Sequence, residues 1–227
     1  MSDPQEFITH LAHKLGRPTP TSVEPIKVQV PVYQLNSQEE RINTLIANWE
    51  ALGGKGILAK TPEEAAAALK NWFGDPQPQW LSNSSIVTWG ELPDFAKVTF
   101  TQLQWLTRSY LDLSSNRAER IDTIAQSQLG VTGADYGIAQ SGTLVLKSNA
   151  HRGRAVSLVP PRHLTFLAGS SIKDELAQIM EELLQAGTPP AAIELISGPS
   201  RTSDIEMDLS IGVHGPIEVY LVVMSNQ

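Results

Sequence analysis

The stretch Leu129–Ala168, LGVTGADYGIAQSGTLVLKSNAHRGRAVSLVPPRHLTFLA, concentrates the unusual residues of this chain. Its composition predicts a turn from Gly130 to Asp135, then a short helix-like apolar segment from Tyr136 to Ala139. A second turn, Ser141-Gly142-Thr143, precedes a strand at Leu144–Leu146. A basic loop, His151-Arg152-Gly153-Arg154, leads to an apolar run interrupted by Pro160-Pro161. Glycines at such turns permit positive φ or a close backbone approach. Small hydroxyl residues beside them leave backbone N–H groups free to meet an anion. A second patch of the same character runs from Ser197 to Glu206 (SGPSRTSDIE) and continues in Gly212-Val213-His214-Gly215-Pro216.

Outward from this stretch, helices and strands alternate. Residues 3–16 read as an amphipathic helix, with Asp3 at the N-cap, Pro4 at N1 and Phe7, Ile8, Leu11 and Leu15 at helical spacing. A Pro- and Thr-rich linker, Arg17 to Pro31, follows and cannot build a core. The first helix is then either packed on its own domain or docked on a partner. Residues 1–34 form this arm and linker, and residues 35–227 the main domain. Ser37 to Leu52 is a helix opened by a Ser37/Glu40 capping box, with Ile42, Leu45, Ile46, Trp49 and Leu52 in one stripe. Gly56–Ala59 is a short buried strand, and Thr61-Pro62 starts a helix that buries Ala65, Leu69, Trp72 and Phe73. Ile86–Trp89 is a further strand.

Between Pro93 and Arg120 the pattern is weakest, and Val98–Trp105 reads as strand or loop. Arg117–Gln128 is a helix leading into the Gly130 turn. Ser171–Gln185 is a helix burying Ile172, Leu176, Ile179, Met180 and Leu183, and the strands Ala192–Ile196 and Ile217–Met224 close the chain. Such alternation predicts an α/β fold, a mainly parallel sheet flanked by helices on both faces.

Composition bounds the function. With 227 residues and 41% apolar content the chain has enough material for a real core. A net charge of −7 without a Lys/Arg block argues against nucleic acid or an anionic membrane as partner. No cysteine is present, so the chain has no thiol nucleophile and no cysteine ligand for an iron–sulfur cluster. No apolar run reaches the length of a membrane span, and the N-terminus lacks a signal-peptide core, so a cytoplasmic location is expected.

Candidate anion binders are Gly133, Asp135, Ser141, Gly142, Thr143 and Ser200, with Arg152, Arg154 and Arg201 as cations. Arginine suits a carboxylate or phosphate because its fork bonds bidentately. Arg152 and Arg154 read equally well as a solvated loop; for Arg201, held between small residues, the anion site is preferred to the alternative of a salt bridge with Asp204 or Glu206. Acid–base candidates are His163, His214, Asp204 and Glu206, the last two sharing a face on a strand. No metal motif, dinucleotide fingerprint, Walker loop or nucleophile elbow is present.

The pieces Val-Thr-Gly-Ala-Asp (131–135), Ala-x-Ser-Gly-Thr-Leu-Val-Leu (139–146), Ser-Leu-x-Pro-Pro-Arg-His (157–163), Ser-Gly-Pro-Ser-x-Thr-x-Asp-Ile-Glu (197–206) and Gly-Val-His-Gly-Pro (212–216) occur in that order. Together they resemble the LUD-domain family, and within it the LutC (YkgG-type) lactate-utilisation proteins. Gln140 stands where the family usually has an acidic residue. The resemblance implies a ribose-isomerase/CoA-transferase-like (NagB/RpiA-like) fold. It also implies a subunit required for oxidising L-lactate to pyruvate beside LutA-like and LutB-like iron–sulfur proteins. Clusters are then expected on those partner chains and no intrinsic cofactor on this one. A small carboxylate or phosphate is the expected ligand. The alternative is a self-sufficient enzyme binding a phosphorylated sugar or an acyl-CoA in the same cleft.

Overall fold

The computed structural model describes residues 4–17, 33–81, 85–185, 190–203, 209–211 and 214–225. The chain divides into two compact units, Met1–Val32 and Tyr33–Gln227. In the first, helix α1 (Pro4–Lys14) has Phe7, Ile8 and Leu11 exposed. The expected cap Asp3 and the linker beyond Arg17 lie outside the described residues.

The second unit begins with α2 (Gln38–Ala51), β1 (Lys55–Ala59), α3 (Pro62–Phe73) and β2 (Ile86–Thr88). It continues with α4 (Asp94–Leu103), β3 (Arg108–Ser109), α5 (Arg117–Ala125), β4 (Leu129–Gly133), β5 (Tyr136–Ile138) and β6 (Thr143–Lys147). The remainder is α6 (Ala155–Leu158), β7 (Arg162–Ala168), β8 (Ile172–Lys173), α7 (Leu176–Gln185), β9 (Ile193–Ile196), β10 (Arg201–Ser203), β11 (Leu209–Ile211) and β12 (Glu218–Met224).

Local chemistry starts the first helices where the sequence places them. The Ser37 hydroxyl accepts from the Glu40 amide at 3.1 Å, while the Glu40 carboxylate reaches back to the Asn36 amide at 2.8 Å. Thr61 caps α3 in the same way, with Pro62 in the first turn.

Six strands form one sheet in the order β1-β12-β7-β4-β2-β3, parallel at every pairing. Alternation along the strands separates two cores. Leu129, Val131, Leu164, Phe166, Tyr220 and Val222 face α3 and α4. Val87, Leu167, Val219, Leu221 and Val223 face α2, α5 and α6. Strands buried on both faces account for the near-continuous apolar runs in the sequence.

A second, mixed sheet, β8-β5-β6-β9, lies beyond α2 and was not foreshadowed by the sequence. Its inner residues Leu144, Leu146 and Ile172 join the second core, while Ile138 and Val145 pack on Ile179 of α7. A hairpin, β10-β11, is the third sheet.

Four expectations are corrected. The Gly130–Asp135 segment is not a turn: Leu129–Gly133 is the fully buried strand β4, hydrogen-bonded on both sides. Gly130 is required there because a Cβ would lie 1.9 Å from the Val156 carbonyl oxygen, so α6 can cross the strand only over a glycine. Tyr136–Ile138 is strand rather than helix, pairing antiparallel with the neighbouring β6 and parallel with the distant β8. Val98–Leu103 belongs to helix α4, where burial of Phe95, Ala96, Thr99, Phe100 and Leu103 overrides the strand preference of Val98, Thr99 and Thr101. Finally, Ile172–Lys173 is a strand, and α7 starts at Leu176, leaving Leu176 and Met180 exposed.

Candidate functional site

Strand order reverses between β2 and β4. From β2 the chain passes through α4 to β3 on one side; from β4 it proceeds through the second sheet to β7 on the other. The carboxyl ends of two strands whose connections diverge leave a crevice, the usual place for a ligand in an open α/β sheet. Here that crevice is a hollow of about 230 Å³ lined by Glu91, Leu92, Pro93, Gly133, Ala134, Asp135 and Arg152. A second hollow of about 430 Å³ shares Asp135 and Arg152 and adds Lys147, Ser148, Asn149, Leu183, Pro190 and Ala191.

Between the two hollows runs a chain of paired polar side chains. Asp135 follows the end of β4, and its Oδ2 accepts from the Lys147 amide at 2.7 Å. Its Oδ1 accepts from Arg152 Nη1 at 3.1 Å and lies 3.4 Å from Lys147 Nζ. Arg152 Nε lies 3.3 Å from Glu91 Oε2, and Glu91 Oε1 meets His151 Nδ1 at 2.7 Å. The hydrogen bond from His151, with Arg152 nearby, holds the Glu91 carboxyl below the usual carboxylate range. Arg152 also stacks over Trp89, 5.4 Å from the ring, while the indole N–H of Trp89 donates to Gly153 O at 3.2 Å. The Gly90 amide donates to His151 O at 3.0 Å, which fastens the basic loop to the end of β2. Asp135 is nearly buried (12% exposed) and Glu91 half exposed (47%), so the Glu91 end of the chain is the exchangeable one.

Of the residues expected to form one anion site, the structure gathers only Gly133, Asp135 and Arg152 here. Asp135 braces β6, and Arg152 is an ion-paired, part-buried residue rather than a solvated one. Arg154 instead extends to Glu194 at 3.9 Å and is 60% exposed.

The Ser141-Gly142-Thr143 turn sits against α2 rather than around an anion. Gly142 adopts φ +61° where a Cβ would lie 2.7 Å from the backbone of Asn48 and Trp49. Asn48 Nδ2 donates to Ala139 O at 2.8 Å and Gln140 O at 3.2 Å, so Gln140 also belongs to this packing. The hydroxyls of Ser141, Thr143 and Ser197 form a chain at 2.7 Å each, which joins the two signature patches structurally.

The Ser200 amide donates to Pro216 O at 2.8 Å, tying its loop to the segment before β12. Arg201 Nη2 donates to Leu52 O at 2.6 Å and so closes the C-terminal end of α2. That is a structural task rather than the expected place in the anion site. The alternative salt-bridge partners Asp204 and Glu206, together with Gly212 and Val213, lie outside the described residues, and His214 is exposed.

His163 is corrected most firmly as an acid–base candidate. It is fully buried near the start of β7, at the opposite end of the sheet from the crevice. Its Nε2 bonds to Thr132 Oγ1 at 2.9 Å and Thr165 Oγ1 at 3.2 Å, and Nδ1 has no hydrogen-bond partner. Burial pushes its pKa down to about 3, so at neutral pH it is a neutral packing residue.

Glu91 lines the crevice, Lys147 the adjoining hollow, and His151 pairs with Glu91; the sequence reading singled out none of the three as a site candidate. A signal for Glu91 existed: it follows β2 as Asp135 follows β4, and carboxylates just past adjacent strand ends converge once the strands pair. That pairing is not visible in a linear pattern. Among the described residues, no group of three or more His, Asp or Glu is placed to hold a metal ion, and no helix is long and apolar enough to cross a membrane.

The parallel sheet, the accessory sheet and the switch-point crevice define an open α/β fold. A profile of the LUD domain matches residues 42–224, and the chain belongs to that family. Lactate utilization protein C of Halalkalibacterium halodurans is 30% identical over 234 residues, covering 98% of each chain. YkgG of Escherichia coli K12, described as uncharacterized, is 32% identical over 236 residues, covering 98% of this chain and 99% of its own. In fold, the chain is similar to a DUF162 family protein of Deinococcus radiodurans known from its crystal structure. The TM-score is 0.55 at 19% identity, over 84% of this chain and 100% of that one.

Proposed function

We propose that this chain serves lactate utilisation as a subunit without a redox centre of its own, acting with iron–sulfur partner proteins in oxidising L-lactate to pyruvate. The observation that carries the reading is the similarity, over 98% of each chain, to a protein named lactate utilization protein C. The absence of cysteine supports placing the clusters on other chains. A cytoplasmic location goes with this reading.

Within that role, the switch-point crevice receives a small carboxylate. Arg152 is held in place by Asp135 and stacked on Trp89, so its guanidinium is oriented in advance. An incoming carboxylate takes the place of the half-exposed Glu91 and leaves the nearly buried Asp135 undisturbed. A hollow of about 230 Å³ suits a three-carbon hydroxy acid.

The test is anaerobic affinity purification of the full tagged chain from cells grown on L-lactate. Co-eluting chains, a visible iron–sulfur absorption band and lactate-oxidising activity are the expected result. A colourless homo-oligomer, together with undiminished growth on lactate when the gene is deleted, would overturn the proposal.

A further inference from the structure

A cavity of about 520 Å³ lies between α5 and α6, and it shares no lining residue with either hollow of the crevice. Three of the nine arginines in the chain, Arg117, Arg120 and Arg154, line it, and no carboxylate does. In a protein with 24 acidic and 17 basic side chains, this is a local reversal of charge.

The three arginines are differently held. Arg120 is fixed: Nη1 donates to the Tyr110 hydroxyl at 2.8 Å, Nε donates to Ser114 O at 2.9 Å, and the guanidinium stacks on the Tyr110 ring at 5.0 Å. Gly153 holds that ring from behind, since a Cβ there would lie 2.4 Å from it. The Arg154 guanidinium has only Glu194 near it, at 3.9 Å, beyond hydrogen-bond reach. The side chain of Arg117 makes no hydrogen bond or ion pair among the described residues. One wall is apolar and open to solvent, formed by Ile121, Leu158 and Val159.

We infer that this cavity is a binding site for a small organic anion, one carrying a phosphate or carboxylate head and a compact apolar or aromatic body. The reasons are physical. Arg117 and Arg154 keep unspent donors, and an arginine fork bonds phosphate and carboxylate oxygens in pairs. Arg120 is already oriented and adds charge without further ordering. The volume falls within the range of small-molecule pockets. The apolar wall gives the body of the ligand a surface that inorganic phosphate cannot use. This site is independent of the lactate reading and of Arg152.

The test is isothermal titration calorimetry of the full chain with phenyl phosphate and with inorganic phosphate. Phenyl phosphate is expected to bind saturably at one site, about tenfold tighter than inorganic phosphate because of the apolar wall. The double variant R117Q/R154Q is expected to weaken phenyl phosphate binding by at least about tenfold. The charge-matched control K55Q/R108Q removes two exposed cations outside the cavity and is expected to leave binding unchanged. Circular dichroism confirms that each variant is folded. The inference is overturned by absence of saturable binding of both probes, by equal loss in both double variants, or by equal affinity for the two probes.

Discussion

Strands β4 and β7 carry polar residues at both ends, and the two ends behave in opposite ways. Near the start of β7, His163, Thr132 and Thr165 form a closed cluster, all three fully buried and both hydroxyls bonded to the imidazole. Beyond the end of β4, Asp135, Arg152, Glu91, His151 and Lys147 form an open chain whose last members are half exposed. The closed cluster keeps its histidine neutral because charge cannot be solvated there. The open chain pairs the carboxylates Asp135 and Glu91 with Arg152 and Lys147, and one side of it meets water. A titratable residue near a signature motif therefore indicates chemistry only at the end of the sheet that ligands can reach.

The largest expected effect tests the closed end. Folded His163 binds its proton only below about pH 3, and the unfolded residue does so below 6.5. Between these values the unfolded chain binds one more proton, so stability is full above pH 6.5 and falls as pH is lowered towards 3. The loss is about 4 to 5 kcal/mol at its limit. Urea titrations across that range should show the slope in the natural chain and its flattening in H163Q. A slope that survives H163Q would assign it to other groups.

Next comes Gly130→Ala at the same end. A Cβ 1.9 Å from the Val156 carbonyl oxygen forces α6 off the sheet, for a destabilisation of about 3 kcal/mol or more, read as a fall in the urea midpoint. A much smaller effect would mean that α6 is held loosely there.

At the open end the effects on stability shrink and those on function grow. Arg152→Ala removes one hydrogen bond to Asp135, which retains Lys147, together with the pairing to half-exposed Glu91 and the stack on Trp89, so the stability cost is about 1 to 2 kcal/mol. Growth on lactate should nevertheless be lost; normal growth would remove Arg152 from the site. The smallest change in stability belongs to Gly133→Ala. Its Cβ would lie 3.4 Å from Pro93 Cδ, an ordinary contact, for a change within about 0.5 kcal/mol. Because that Cβ enters the crevice, lactate-dependent growth should fall while the urea midpoint stays put. The contrast between Gly130→Ala and Gly133→Ala, three residues apart on one strand, separates packing from site most directly.

Legibility in the sequence followed the range of the forces involved. The caps of α2 and α3 are contacts between residues three or four apart, and Ser37, Glu40, Thr61 and Pro62 announce them. The strands β1, β2, β6, β9 and β12 are short apolar runs bounded by turn residues and were placed to within a residue or two. Gly130 misled because the reason for it is Val156, twenty-six positions away; a glycine needed for close approach looks the same in a sequence as one needed for a turn. Tyr136–Ile138 misled because three residues fix no period, and only pairing with β6 and β8 makes them a strand. In the candidate site, Asp135 and Arg152 were legible as residue types. Glu91 and Lys147 were not, since nothing local marks a charge whose partner arrives from another strand.

What the sequence by itself determined is therefore the class of protein and its family. Composition gave a core-forming chain without cysteine, periodicity an alternating α/β order, and five motifs in register the LUD domain. All of these reside in local spacing. The tertiary structure alone decided which end of the sheet holds the candidate site. It placed β2 beside β4, sealed His163, turned Arg201 onto the end of α2 and aligned Lys147, Asp135, Arg152, Glu91 and His151. Strand order and burial are properties of contacts between distant residues, and a charge becomes a site residue only when those contacts supply its partners and leave one side open.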